Sequence, residues 1–118
     1  MINVDKKNGL MIITHYKFWD TNIFHEIVFG IEEEQVPYYA KAIEKEIDLI
    51  KLAYSAALQS NFEVGIGYNC RGVCIHHMRF DLKQPLIVID YEKMNLKIAR
   101  LIGNDSARLI KGFPLHLY

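Results

Sequence analysis

This 118-residue chain contains few cysteines and prolines and has no net charge. Its two cysteines, Cys70 and Cys74, are too few for a disulfide scaffold, so we expect reduced thiols. Fourteen basic residues balance fourteen acidic ones, so no overall field favours a nucleic acid or an anionic membrane as partner. No stretch approaches the ~20 apolar residues that span a bilayer. These absences favour an ordinary globular protein.

The chain shows no internal division. The first nine residues are polar and turn-like and lack the apolar run of a secretory signal. No repeat, linker or low-complexity tract follows. With 51% hydrophobic residues, we predict one domain over residues 1–118 with a real core. The expected setting is the cytoplasm or a bacterial microcompartment.

The hydrophobic pattern predicts alternating strands and helices. Short apolar runs rich in β-branched residues indicate strands, and apolar residues at helical spacing indicate amphipathic helices. The predicted strands are 10–16, 36–40, 62–68, 73–78 and 86–90. The predicted helices start at Thr21 or Asn22, at 44 (to 59) and at 95 (to 111), the last one ending at Gly112 before Pro114. Pro37 indicates an edge strand or a strand start.

Loop length fixes one strand direction. Residues 69–72 can form a tight turn, whereas a parallel crossover needs a dozen or more residues. Strand four is therefore antiparallel to strand three. Because the strands are uniformly apolar, helices must cover both faces of the sheet. We predict an α/β fold, a three-layer α/β/α sandwich around a mixed five-stranded sheet.

Three adjacent carboxylates, Glu32, Glu33 and Glu34, stand at the end of the first predicted helix; we call them the acidic run. The helix dipole is already negative there, so these charges are unfavourable locally and predict a positive partner from outside the local chain. At ~100° per residue, Glu33 points most nearly away from the apolar stripe. Glu34 falls close to that stripe unless the helix has ended. A solvated acidic helix end is the alternative interpretation.

Adjacent histidines and closely spaced cysteines suggest metal binding only weakly. His76 and His77 point to opposite faces of a strand, so we expect one core and one surface histidine. Cys70 and Cys74 lack a second pair for a tetrahedral site, so we expect free thiols, buried or half-exposed.

Other notable residues have structural interpretations. Gly65 and Gly67 lie inside an apolar strand without a glycine-rich turn into a helix, so they predict close backbone packing rather than nucleotide binding. Arg108 and Lys111 complement the dipole of the last helix. Trp19 could form an exposed interface or close the core.

Three motifs, in their order and spacing along the chain, resemble those of a known family. They are Gly-Ile-Glu-Glu-Glu-x-x-Pro at 30–37, Val-Gly-Ile-Gly at 64–67 and Gly-Asn-x-x-Ala-Arg-Leu-x-Lys-Gly-x-Pro at 103–114. Together they resemble the small subunit of the diol/glycerol dehydratase reactivating factor, over residues 10–114. Residues 65–72 and the pair Ile75-His76 also resemble the dehydratase medium subunit of the same superfamily. The short 79–85 connection favours the reactivating factor.

The resemblance implies the α/β/α fold and a binding role without catalytic residues. It implies a large actin-like ATPase subunit as partner, and an inactivated cobalamin-dependent dehydratase as the indirect partner whose docking displaces this chain. Glu33 matches a glutamate that helps to ligate Mg²⁺ or Ca²⁺ held by the large subunit, within a partner-binding surface of Glu32, Glu33 and Glu34. The isolated chain would carry no cofactor.

Two other functions stay open. The chain could be a medium-type subunit of a dehydratase, contributing to a cobalamin-binding assembly. It could also be a regulatory module that binds a small molecule at the carboxyl edge of the sheet, where open α/β sheets usually bind ligands.

Overall fold

The computed structural model describes residues 5–117 and contains the predicted order of strands and helices. The first four residues of the polar N-terminal segment lie outside the described range. The strands are β1 (Leu10–His15), β2 (Tyr38–Ile43), β3 (Val64–Asn69), β4 (Gly72–His77) and β5 (Ile87–Asp90). The helices are α1 (Asn22–Glu33), α2 (Leu49–Leu58) and α3 (Leu96–Lys111). Within residues 5–117, no helix is both long and apolar enough to cross a membrane.

The strands form one mixed sheet in the order β2-β1-β3-β4-β5. β1 pairs in parallel with β2 and β3, while β4 is antiparallel to β3 and β5. The prediction that strand four runs against the others is therefore confirmed. The short turn between β3 and β4 is the physical reason, since it can only reverse the chain.

Helices cover both faces of the sheet, as predicted. Along β1, alternate side chains point to opposite faces. Leu10 and Ile12 join the core under α1 and α3, whereas Met11 and Ile13 pack against Leu52 of α2. The result is the predicted three-layer α/β/α sandwich, with α1 and α3 on one face and α2 on the other.

The two glycines of β3 allow α2 to approach the sheet closely. A Cβ at Gly65 would overlap the backbone at Ala57, and one at Gly67 would lie 2.7 Å from the amide nitrogen of Ala53. Both separations are too short for real side chains. The predicted close backbone packing is confirmed, and it explains why small residues face β3 along α2.

Two predicted boundaries were wrong. The second helix, predicted from residue 44, begins at Leu49, because the Asp48 carboxylate accepts a hydrogen bond from Lys51 N (3.2 Å) and caps the helix there. The second strand, predicted as 36–40, runs from Tyr38 to Ile43 because it pairs with β1 along its whole length. Pro37 directly precedes this edge strand, as its missing N–H predicts.

Candidate functional site

The acidic run closes α1. Thr21 caps the start of the helix, its hydroxyl accepting a hydrogen bond from Phe24 N (3.3 Å). Glu32 and Glu33 lie in the last turn, Glu34 is the C-cap, and Gln35 adopts a left-handed backbone with φ 60°. The acidic run therefore spans the point where the helix turns toward β2, at the amino edge of the parallel strands.

α3 lies parallel to α1 at a constant spacing in sequence. Arg100 contacts Glu26, Asn104 contacts Gly30 and Arg108 contacts Glu34, each 74 residues further along the chain. This register brings three cations of α3, Arg100, Arg108 and Lys111, beside the carboxylates of α1. The expected positive partner is therefore supplied by α3, far away in sequence but within the same chain.

Two glycines bring these helices close together. A Cβ at Gly30 would overlap the carbonyl oxygen of Arg100, and a Cβ at Gly103 would overlap that of Ile27. The close approach lets the Asn104 side chain reach Gly30 O at 2.9 Å. The glycines of the first and third motifs therefore meet at one helix crossing.

Glu34 is engaged inside the molecule. Its carboxylate is 16% exposed and lies 3.3 Å from both Arg108 Nη1 and Lys111 Nζ. Lys111 Nζ also donates to the carbonyl oxygen of Glu34 at 2.6 Å. Sequence reasoning assigned these cations to the dipole of their own helix. They also neutralise the negative end of α1, while α3 ends as predicted at Gly112 with a left-handed φ of 74°.

Glu33 is half-exposed and held in place. Its side chain is 51% exposed, with Oε2 at 3.2 Å from Arg100 Nη1 and Oε1 accepting from Asn104 Nδ2 at 3.1 Å. The hydrogen bond from Asn104 lowers the pKa of Glu33; partial desolvation opposes this, and Arg100 adds to it. Glu33 therefore presents an ionised carboxylate of fixed orientation at the surface.

Glu32 is the exposed member of the acidic run and makes no ion pair or side-chain hydrogen bond within residues 5–117. It borders a shallow surface hollow with Val36, Pro37 and Tyr38. Desolvation raises the pKa of Tyr38, and the nearby charge of Glu32 raises it further. Three adjacent glutamates thus have three environments, a difference that position on a helical wheel does not reveal.

The residues that the structure describes do not form a complete metal site by themselves. Within residues 5–117, no three histidine, cysteine, aspartate or glutamate side chains lie close enough together to hold a metal ion. Glu33 could supply one carboxylate oxygen, the donor type that Mg²⁺ and Ca²⁺ prefer. A cation at Glu33 would therefore take most of its ligands from another molecule.

The histidines follow the sequence prediction. His76 is buried, and its Nε2 lies 2.9 Å from the carbonyl oxygen of Leu82. His77 is partly exposed near Glu63, at 3.8 Å. The pair therefore consists of one core and one surface histidine.

The structure also shows the environments of the two cysteines and of Trp19. Cys70 is exposed and Cys74 is buried, and both are free thiols. Burial raises the pKa of Cys74 to about 12, so this thiol is protonated at neutral pH. Trp19 is 43% exposed and packs on Phe24 with ring centroids 4.9 Å apart, so it both contacts the core and faces solvent.

A crevice of about 400 Å³ opens at the opposite, carboxyl edge of the sheet. It is lined by the last residues of β1 and β3, by residues that follow them and by the start of α2, including His15, Lys17, Asp48, Asn69 and Arg71. This is the location at which the regulatory-module interpretation places a small molecule, and that interpretation stays a prediction. The crevice and the acidic run lie at opposite edges, so mutations can separate their roles.

Comparison with known proteins defines the class. The model of the dehydratase medium subunit family matches residues 9–116. The chain therefore belongs to the dehydratase medium subunit family.

Its similarity within that family is to reactivating-factor subunits. It is 35% identical over 94 residues to the propanediol dehydratase-reactivating factor small subunit of Citrobacter freundii, covering 80% of this chain and 79% of that protein. The corresponding Salmonella typhimurium protein is 30% identical over 93 residues, covering 79% and 78%. The probable glycerol dehydratase-reactivating factor small subunit of Citrobacter freundii is 25% identical over 107 residues, covering 90% and 91%. The family resemblance inferred from the three motifs is confirmed.

Solved structures support the fold. A chain of a diol dehydratase-reactivating factor, complexed with ADP and Mg²⁺, superposes with a TM-score of 0.82 at 24% identity, covering 94% of this chain and 99% of that one. A glycerol dehydratase reactivase chain gives a TM-score of 0.85 at 23% identity, covering 93% and 97%. The predicted fold class is confirmed.

Proposed function

We propose that this chain is the small, non-catalytic subunit of a reactivating factor for an adenosylcobalamin-dependent diol or glycerol dehydratase. The names of its relatives support this proposal, because proteins 30% and 35% identical over most of their length are propanediol dehydratase-reactivating factor small subunits. Its partner is a large, actin-like subunit in which ATP hydrolysis takes place. The function of this chain is therefore binding and release.

Exchange of partners explains how such a subunit acts. The chain resembles the medium subunit of the client enzyme, so it occupies a surface of the large subunit that the dehydratase can also use. When an inactivated dehydratase docks, this chain leaves, and the damaged cobalamin is released from the enzyme. Reversible exchange requires an interface of moderate strength, such as one built on a few polar contacts.

The main support for a partner-binding site at the acidic run is the exposure and fixed orientation of the Glu33 carboxylate. Glu34 is paired within the chain, whereas Glu33 is half-exposed, ionised and oriented by Asn104 and Arg100. Glu33 would provide one oxygen to a Mg²⁺ or Ca²⁺ ion of the large subunit. Such a cation, when bound, would add an ionic contact between the subunits. Glu32, exposed beside it, would face the same partner.

Titration against the large subunit tests this site. The wild type, Glu33→Gln and Glu32→Gln would be titrated with purified large subunit, once with Mg²⁺ and once with a chelator. We expect Glu33→Gln to weaken binding about tenfold or more with Mg²⁺ and to lose most of the difference between Mg²⁺ and chelator. Glu32→Gln, which removes the same charge one residue away, should keep that difference.

Equal affinities of the wild type and Glu33→Gln under both conditions would refute the assignment of Glu33. If Glu32→Gln alone abolished the Mg²⁺ dependence, the ligand would be Glu32. Both variants replace a side chain with one of the same size and leave the ion pairs of Glu34 in place, so each should remain folded.

The second candidate is a medium-type subunit of a dehydratase enzyme. It is favoured by the description of the matching family model, the dehydratase medium subunit. Co-purification from the native host distinguishes the two functions. A large ATPase subunit in the complex supports the reactivating factor, whereas large and small dehydratase subunits support the enzyme.

A further inference from the structure

Asn104, in the middle of α3, joins the first motif to the third. It is 9% exposed, and its Nδ2 donates to Gly30 O at 2.9 Å and to Glu33 Oε1 at 3.1 Å. The amide nitrogen of Glu34 donates to Ile31 O rather than to Gly30 O, so Gly30 O is one of the carbonyls that the end of a helix leaves without an internal partner. Both hydrogens of the Asn104 amide are therefore used, one on the backbone of α1 and one on its carboxylate.

The backbone contact makes Asn104 a rigid donor. Its amide plane is fixed by Gly30 O, and its position is fixed by the close crossing at Gly30 and Gly103. While the first N–H stays on Gly30 O, the second N–H is directed at Glu33 Oε1. A half-exposed glutamate would otherwise sample many rotamers, and that freedom would be lost on binding.

Arg100 contacts the other oxygen of Glu33, Oε2, but it is also held by Glu26. Its guanidinium contacts Glu26 Oε2 through Nη2 at 2.7 Å and Nε at 3.2 Å, and reaches Glu33 Oε2 through Nη1 at 3.2 Å. Arg100 can therefore stay on Glu26 when Oε2 of Glu33 is engaged elsewhere. Of the two carboxylate oxygens, Oε1 is fixed by a buried side chain, and Oε2 is the one that a partner can take.

We propose that Asn104 is a positioning residue that holds Glu33 with Oε2 directed toward a divalent cation carried by the large subunit. This inference rests on the proposed function. It assigns the asparagine of the third motif to partner binding, in addition to its bond to the backbone of α1. It also links the first and third motifs, since each supplies half of one contact.

A double-mutant cycle tests the proposal. Wild type, Asn104→Ala, Glu33→Gln and the double variant would each be titrated with the large subunit, with Mg²⁺ and with chelator, under conditions where denaturant unfolding shows each to be folded. We expect Asn104→Ala to weaken Mg²⁺-dependent binding about tenfold in the wild-type background, and to have no further effect in the Glu33→Gln background. Asn104→Ser, which keeps a small polar side chain, provides the same cycle if Asn104→Ala does not fold.

The experiment distinguishes a wrong positioning role for Asn104 from a wrong assignment of Glu33. If Asn104→Ala weakens binding equally in both backgrounds, and equally with Mg²⁺ and chelator, Asn104 only supports the helix pair and the positioning role is wrong while the role of Glu33 stands. If Glu33→Gln itself changes nothing under either condition, the proposed function of the site fails, and the positioning role fails with it.

Discussion

At the scale of single residues, neighbouring side chains of one type take different roles. Glu32 faces solvent, Glu33 is held at the surface by Asn104 and Arg100, and Glu34 is paired with Arg108 and Lys111. The helix dipole disfavours all three alike. What separates them is the distance of each from the cations of α3.

This difference predicts unequal effects on stability. Glu34→Gln removes the charge that faces Arg108 and Lys111, in a carboxylate only 16% exposed. We expect it to lower the free energy of unfolding by about 1 kcal/mol, the upper range for partly exposed ion pairs. Glu32→Gln should leave stability unchanged or raise it slightly, since it only relieves repulsion. Urea unfolding of both variants measures this, and equal losses would show that the Glu34 pairs contribute nothing.

At the scale of elements, the sequence predicted most of what depends on local pattern. The order of strands and helices, the reversal of β4 and the packing role of Gly65 and Gly67 follow from periodicity, turn length and side-chain size. The start of α2 was missed because the apolar pattern continues before Asp48, the residue that caps the helix. The pairing of α1 with α3 was not predicted, because nothing local indicates which helices share a face of the sheet or in which register. The roles of Arg100 and Asn104 were missed for the same reason.

The helix crossing gives a prediction at this scale. In an open helix, Gly103→Ala would be stabilising by roughly 1 kcal/mol through helix propensity. Here the added Cβ would overlap the Ile27 carbonyl, a backbone atom that cannot move away alone. We expect a net loss of about 1 to 3 kcal/mol, typical of overpacking, whereas Lys97→Ala on the exposed side of α3 should be nearly neutral. Thermal unfolding compares them, and a rise in Tm for Gly103→Ala would disprove the close crossing.

At the scale of the whole molecule, the acidic run and the crevice lie at opposite edges of the sheet. The acidic run lies at the amino edge of the parallel strands, and the crevice beside His15 lies at the carboxyl edge. A third group, formed by Glu63, His77 and Arg79, lies at the start of β3 and the end of β4. We expect stability toward acid to depend on this group, because the pKa values of Glu63 and His77 are both lowered in the folded protein.

Both shifts act in the same direction. The hydrogen bond and charge of Arg79 lower the pKa of Glu63, with His77 and Lys6 adding to this against desolvation. Desolvation lowers the pKa of His77, an effect that Arg79 and His76 strengthen and that the charge of Glu63 opposes. Folding therefore favours ionised Glu63 and neutral His77. The stability they contribute is fully present above the ordinary histidine pKa of 6.5. It is lost as the pH falls, first through His77 and then, below 4.5, through Glu63.

We therefore expect urea midpoints to fall between pH 7 and pH 3, and to fall less in Arg79→Gln, whose Glu63 has lost its main partner. Added salt should reduce the difference between the two proteins, since Arg79 is exposed. A steeper loss in Arg79→Gln than in the wild type would contradict this account.

The spacing of 74 residues between contacting positions of α1 and α3 also has a consequence in time. At a synthesis rate of about 5 to 20 residues per second, the end of α1 is made roughly 4 to 15 s before the residues that neutralise it. During that interval the glutamates repel one another without compensation, and the face of α1 at Gly30 is open to other molecules. The nascent chain cannot present an oriented Glu33 until Arg100 and Asn104 of α3 have been made, so this site becomes competent for binding late, when the two helices meet.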